Sequence, residues 1–171
     1  MQWPIFAVAL FVTAVLQITV PSVLPLTHEL IRPDFLALLA LFYALYAPRA
    51  HAPLAAWIIG FTADLLNLGP PPGTFAFAFG LMAIFSLRAR RLLYPEHPVS
   101  RIILACGWAF LAHAFGFAVP VLLGHRALAD FKPFLWTCLG IGLYTAAFTP
   151  IYYLWTYGKR WLGLPVAIRH V

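Results

Sequence analysis

The sequence predicts an all-α integral membrane protein, and three observations carry that expectation. Hydrophobic residues make up 63% of the 171 and charged residues only 9%, where a soluble domain carries roughly 25% charged residues. Mean hydropathy is +0.89. Six apolar stretches follow one another between Pro4 and Tyr157, separated only by short connectors. Residues 1–171 are expected to form a single polytopic membrane domain.

Eleven basic and five acidic residues leave a net charge of +6. In so apolar a chain a basic excess reports membrane orientation, and no basic groove with interleaved aromatics is there to read nucleic acid. Cys106 and Cys138 lie within apolar stretches, outside any CxxC or Cys/His spacing, and read as small buried hydrophobes. A cleavable signal peptide wants lysine or arginine ahead of its apolar core. The first basic residue here is Arg32, so the first stretch is expected to be a retained helix.

A spanning helix needs about 20 apolar residues, each rising roughly 1.5 Å. Pro4–Leu24, Ile102–Leu123 and Phe134–Tyr157 meet that length. Between the first two lie the shorter runs Phe35–Ala47, Leu54–Leu68 and Thr74–Leu87, which fall short of a full span unless flanking turns extend them. Pro33 and Pro53 suit first-turn positions, and Asp34 as a first-turn carboxylate complements a positive helix end. Leu66-Asn67-Leu68-Gly69 ends the third helix with a glycine suited to a left-handed cap, Pro70 to Pro72 forbid continuation, and Gly73-Thr74 opens the fourth. Pro120 and Pro150 fall inside the fifth and sixth helices, where kinks are expected.

Six helices divide the eleven basic residues unevenly. Arg49, Arg88, Arg90, Arg91, Arg101, Lys159, Arg160 and Arg169 fall on one side, and Arg32, Arg126 and Lys132 on the other. Eight against three puts both termini in the cytoplasm. Trp3, Tyr94, Tyr157 and Trp161 then lie near the inner interface and Trp136 near the outer one, as amphipathic rings prefer.

One carboxylate, Asp64, sits inside an apolar run, at a cost of roughly 2.5 to 3.5 kcal/mol on insertion scales unless it packs against protein. Ala56, Gly60 and Asp64 recur every four residues and share a helix face that another helix can approach closely. The functional reading of Asp64 is a coupling or binding carboxylate. The structural reading, which is preferred, is a buried Asp hydrogen-bonded to Thr62, Asn67 or a neighbouring helix. A hydrogen-bonding role predicts that Asp64→Asn is tolerated and Asp64→Leu is harmful. His113, mid-way along the fifth helix, is a partner for Asp64 across the bundle in a proton relay, or a neutral histidine bonded to a backbone carbonyl. Arg88, Arg90, Arg91 and Arg101 surround Tyr94-Pro95-Glu96-His97-Pro98 and suit topology setting, anionic lipid headgroups or a protein partner. No GxSxG, phosphate-binding glycine loop, HExxH or paired intramembrane carboxylate is present, so neither catalysis nor a cofactor or metal is expected.

Arg32-Pro33-Asp34, an apolar helix with Tyr43, then Gly60, Asp64-Leu65-Leu66, Gly69 and Gly73 resemble the rod shape-determining protein MreD family, most clearly over residues 31–91. The triple proline Pro70 to Pro72 departs from the glycine and polar turn of that family. The resemblance implies a non-catalytic component of the bacterial cell-wall elongation machinery in the inner membrane. It would work with the bitopic MreC and, through it, with actin-like MreB and the peptidoglycan synthases RodA and a penicillin-binding transpeptidase. It also implies a compact bundle similar to the S component of energy-coupling-factor transporters. Carried over by residue, Arg32, Pro33, Asp34, Gly60, Asp64, Gly69 and Gly73 are the family-pattern positions.

The leading expectation is thus a scaffold that docks a partner's transmembrane helix, with Ala56/Gly60, Ala76/Gly80 and Ala105/Ala109 as docking seams. The alternative is a substrate-binding membrane subunit of a vitamin-type transporter, with a pocket near Asp64 and His113. Such a pocket needs several convergent polar groups, and beyond those two the apolar stretches offer mainly Thr, Gln17, Asn67 and Tyr144.

Overall fold

A computed structural model describes residues 1–23, 31–67, 71–89, 98–124 and 131–156. Gly69, Pro70, Arg90, Arg91, Tyr94, His97, Arg126, Tyr157, Lys159, Arg160, Trp161 and Arg169 lie outside the described residues. The described residues form six helices: α1 (Trp3–Val23), α2 (Phe35–Tyr46), α3 (Ala52–Leu66), α4 (Thr74–Ala89), α5 (Pro98–Leu122) and α6 (Phe131–Thr156). No strand occurs among the described residues.

Helix α2 is apolar all round, and a helix of that kind belongs inside protein. Every residue from Phe35 to Leu45 is buried, and α2 packs against all five other helices. At about 18 Å it is shorter than the roughly 30 Å hydrocarbon core of a bilayer. Because protein surrounds it, that length rule does not govern it. It stops where Pro48 follows Ala47, whose extended conformation (φ −72°, ψ 155°) is the one a residue before proline prefers. The turn over residues 47–51 is closed by His51 N–H and Ala52 N–H donating to the Pro48 carbonyl. Helix α3 then starts at Ala52, two residues earlier than the apolar run suggested, with Pro53 in its first turn as expected.

The remaining helices wrap this centre in alternating directions. Phe6 and Gln17 of α1 meet Tyr43 and Phe35 of α2, so the two run antiparallel. In α3 and α4, Asp64 meets Phe75 while Trp57 lies beside Gly80. In α4 and α5, Phe75 meets His113 and Phe79 meets Trp108. In α5 and α6, Phe117 stacks on Phe134 with ring centroids 4.2 Å apart, and Cys106 faces Gly142. Each pairing puts a later residue of one helix against an earlier residue of the next. The starts of α1, α3 and α5 therefore share one end of the bundle, and Trp3 packs on His51 there.

Among the described residues two stretches, Trp3–Val20 and Val99–Leu122, are long and apolar enough to cross a membrane. The third such span expected, Phe134–Tyr157, falls on the 26-residue α6 and ends at Tyr157, outside the described residues. Pro120 and Pro150 are accommodated within α5 and α6. Helix α1 is peripheral: over residues 3–20 Phe6, Ala9 and Thr13 are buried, spaced to face α2, while Val8, Phe11, Val15 and Ile18 are exposed.

Candidate functional site

Segment 31–34 is non-helical and enters the bundle, with Ile31 against Gly140 of α6 and Pro33 fully buried. Non-helical backbone at such depth must have its polar groups met by protein or by a water-filled cavity. Here side chains from two helices, α1 and α6, meet them. Asp34 N–H donates to Thr145 Oγ1 of α6 at 2.9 Å, and Phe35 N–H donates to Gln17 Oε1 of α1 at 2.7 Å. The Asp34 carboxylate accepts from Ala37 N–H at 2.9 Å through Oδ1 and lies 3.1 Å from His113 Nε2 of α5 through Oδ2. An ionised Asp34 only accepts, so Nε2 carries the proton in that bond. The start of the central helix is thus tied to α1, α5 and α6 at once.

Asp34 was expected in the first turn of this helix with Pro33 near its first position. It is instead the N-cap, at φ −102° and ψ 90°, and Pro33 lies outside. An N-cap aspartate satisfies one of the helix's orphan N–H groups, typically worth about 1 kcal/mol. A cavity of about 520 Å³ opens beside this node, walled by Gln17, Arg32, Asp34, Asn67, His113 and Thr137 together with apolar side chains.

Asp64, the carboxylate singled out in the sequence, is 7% exposed and closes the α3–α4 hairpin. Its Oδ1 accepts from Phe75 N–H and its Oδ2 from Ala76 N–H, each at 2.9 Å. It therefore caps α4 from the neighbouring helix, where two orphan donors and the positive helix end favour a negative charge. Hydrogen bonds to a charged group contribute about 1.5 to 3 kcal/mol each. Thr62 and Asn67 are not its partners: Thr62 donates to the Ile58 carbonyl and the Asn67 amide to the Ala63 carbonyl. The cap works because Gly60, one turn earlier, admits the α4 backbone. A Cβ there would fall 2.7 Å from Ala76 Cα and closer still to the Phe75 carbonyl oxygen. Gly73, at φ +94°, makes the turn into α4 in a conformation glycine adopts without strain.

Neither alternative weighed for His113, a relay pairing with Asp64 or a bond to a backbone carbonyl, is what the structure shows. Both oxygens of Asp64 are taken by backbone donors, and His113 bonds Asp34 instead. Phe75 separates them, its N–H on Asp64 and its ring 5.4 Å from the His113 ring, edge to face. The docking seams expected at Ala56/Gly60, Ala76/Gly80 and Ala105/Ala109 are also corrected. Ala56, Gly60, Ala76, Ala105 and Ala109 are buried by the chain's own helices, because small residues draw in the nearest helix, which here is intramolecular. Gly80 lies beside Trp57. Gly69 lies outside the described residues, and Arg32 is exposed at the cavity.

Sequence reasoning passed over Thr145 and Gly142. Thr145 is fully buried, and a hydroxyl in an apolar helix signals a partner to be sought. A Cβ at Gly142 would lie 2.9 Å from the Cys106 carbonyl. Cys138, Gly142, Thr145 and Thr149, recurring at helical spacing, give the pattern that locates this α6 face.

No curated protein and no solved structure matches the chain. The family model of the rod shape-determining protein MreD matches residues 1–161 of the 171. With the Arg32-Pro33-Asp34 entry, the Asp64 hairpin and the six-helix order on that same stretch, the chain belongs to the MreD family, a membrane-associated family of rod-shape determination.

Proposed function

We propose that this chain is a non-catalytic scaffold of the bacterial cytoplasmic membrane within the cell-wall elongation machinery. Its six helices cross the bilayer with both termini in the cytoplasm, in a bundle similar to the S component of energy-coupling-factor transporters. It docks an MreC-like bitopic protein and through it serves MreB-like actin and the peptidoglycan synthases RodA and a penicillin-binding transpeptidase. Anionic lipids meet the cytoplasmic side, where Arg49, Arg88 and Arg101 fall.

The observation that carries this reading is how the buried polar groups are used. Asp64 is committed to two backbone N–H groups and Asp34 to a third and to His113. These bonds hold helix ends in register, and among the described residues neither carboxylate is paired with a second carboxylate or a nucleophile. Family membership supports the cell-shape context. The alternating helix directions and the eight-to-three division of basic residues support the six-span topology.

Purification of the full chain from its own membranes in mild detergent, with mass-spectrometric identification of what accompanies it, tests the proposal. Recovery of an MreC-like protein in a fixed ratio is expected. A tightly held vitamin-like molecule, with no such protein, would reverse the reading.

A further inference from the structure

The turn between α2 and α3 carries a cation at its tip. Ala47 and Ala52, which flank the turn, are fully buried, while Arg49 and Ala50 are exposed. The described carboxylates, Asp34 and Asp64, stand at the opposite end of the bundle, engaged with backbone N–H groups and His113. Arg49 therefore meets no carboxylate among the described residues. By the order of the helices, eight of the eleven basic residues belong to the Arg49 end, with Arg88 closing α4 and Arg101 opening α5. Of the five acidic residues only Glu96 falls there. One carboxylate cannot neutralise eight cations, whichever of them it meets.

Position decides what that charge faces. Helix α2 packs against all five other helices and is buried up to Ala47, so its end lies inside the ring they form. Trp3 of α1 packs on His51 at the margin of the turn. A helix with its side chains is about 10 Å across, and at physiological ionic strength exposed charges more than about 8 Å apart are largely screened from each other. Lipid headgroups surround the bundle and meet the basic residues of its rim. Arg49 is set back from them by about the width of one helix and faces the aqueous side.

We propose that this end of the bundle docks an acidic segment of a cytoplasmic protein, with Arg49 at the centre of the contact. The inference rests on the proposed topology, which puts this end in the cytoplasm. Arginine suits the task, because its planar guanidinium holds a carboxylate through two parallel N–H donors and keeps its charge at every physiological pH. The cations around it act at longer range: they speed encounter with an acidic partner and turn basic ones away.

The test uses the full chain in the cells that make it, with the photocrosslinker benzoylphenylalanine in place of Ala50. Irradiation should join the chain to one cytoplasmic protein, and mass spectrometry should map the crosslink to a segment rich in Asp and Glu. Arg49→Glu should lower the yield about tenfold, and reversing a carboxylate of the captured segment to Lys should restore it. The captured segment, made as a peptide, should bind the wild-type chain in phosphatidylcholine nanodiscs, with an affinity that falls about tenfold or more between roughly 0.05 and 0.5 M salt. That measurement decides the matter even where Arg49→Glu fails to fold. Crosslinks to lipid alone, to no protein or to a segment without acidic residues would each overturn the proposal, as would a yield unchanged in folded Arg49→Glu or peptide binding indifferent to salt. The topology fails separately, if an impermeant thiol reagent labels His97→Cys in intact cells.

Discussion

Asp34 and Asp64 are both buried carboxylates at helix N-termini, and the donors they face decide what can replace them. Asp64 meets two backbone N–H groups, which can never become acceptors. Asp64→Asn turns its NH2 toward one of them, so one bond and the favourable charge are lost together. Contrary to the tolerance expected from sequence, this variant should lose about 1 to 3 kcal/mol, and Asp64→Leu more. Asp34→Asn keeps a carbonyl for Ala37 N–H and offers NH2 to His113, whose neutral ring can present an unprotonated Nε2. Its cost should stay below about 1 kcal/mol. Thermal unfolding in detergent compares the two, and an Asp34→Asn protein less stable than Asp64→Asn would defeat the tautomer argument. The importance of Asp64 was legible because a carboxylate in an apolar run demands a partner. Which partner was not, since Phe75 and Ala76 lie across a turn. Asking who satisfies the first N–H groups of α4 would have pointed there, because the Thr74 hydroxyl is engaged with the Pro71 carbonyl.

At the scale of elements, helix spacing is set by where a side chain is absent. Gly60 lies directly on the α4 backbone, so even Gly60→Ala must push the helices apart, and Gly60→Leu further; interior overpacking typically costs about 1 to 3 kcal/mol. Gly80 differs, with a Cβ there lying 3.6 Å from Trp57 in ordinary contact. Gly80→Ala should be neutral or slightly stabilising, by about 0.4 to 1 kcal/mol through the unfolded chain. Accumulation in membranes and unfolding temperature report both, and a Gly60→Ala protein matching wild type would remove the close approach from the explanation. The Ala56/Gly60/Asp64 spacing revealed this face as a packing seam, since periodicity along one helix is local. It carried no information on whether the incoming helix belongs to this chain, because small residues accept any helix that arrives. The α5–α6 approach at Gly142 went unread for a related reason: Gly140 and Gly142 stand two apart, and only the position of Cys106 shows that Gly142 meets the α5 backbone.

For the whole molecule, the order of six helices was legible from apolar run lengths and prolines, because breakers and hydropathy act locally. The central place of α2 was legible only in part. A run of twelve residues with just Tyr43 and Tyr46 as polar members fits a helix covered on all sides, yet length alone made it look like a deficient span. Its burial changes the topology argument, since a short helix inside protein need not match the bilayer for its neighbours to cross. Successive helices alternate in direction, so the ends of α1, α3 and α5 share one side and the ends of α2, α4 and α6 the other. Arg49 follows α2, Arg88 lies in the last turn of α4 and Arg101 in the first turn of α5, all at one end, and Lys132 begins α6 at the opposite end, in line with a cytoplasmic excess. Single cysteines placed by His97→Cys and Ala127→Cys test this. The background should carry Cys106→Ala and Cys138→Ala, which remove two thiols from the α5–α6 region at the expense of some packing. With six crossings, an impermeant thiol reagent applied from outside labels the Ala127 position in intact cells and reaches the His97 position only after the membrane is opened. Labelling of both positions in intact cells would mean that α5 does not cross, and the cytoplasmic placement of both termini would fall with it.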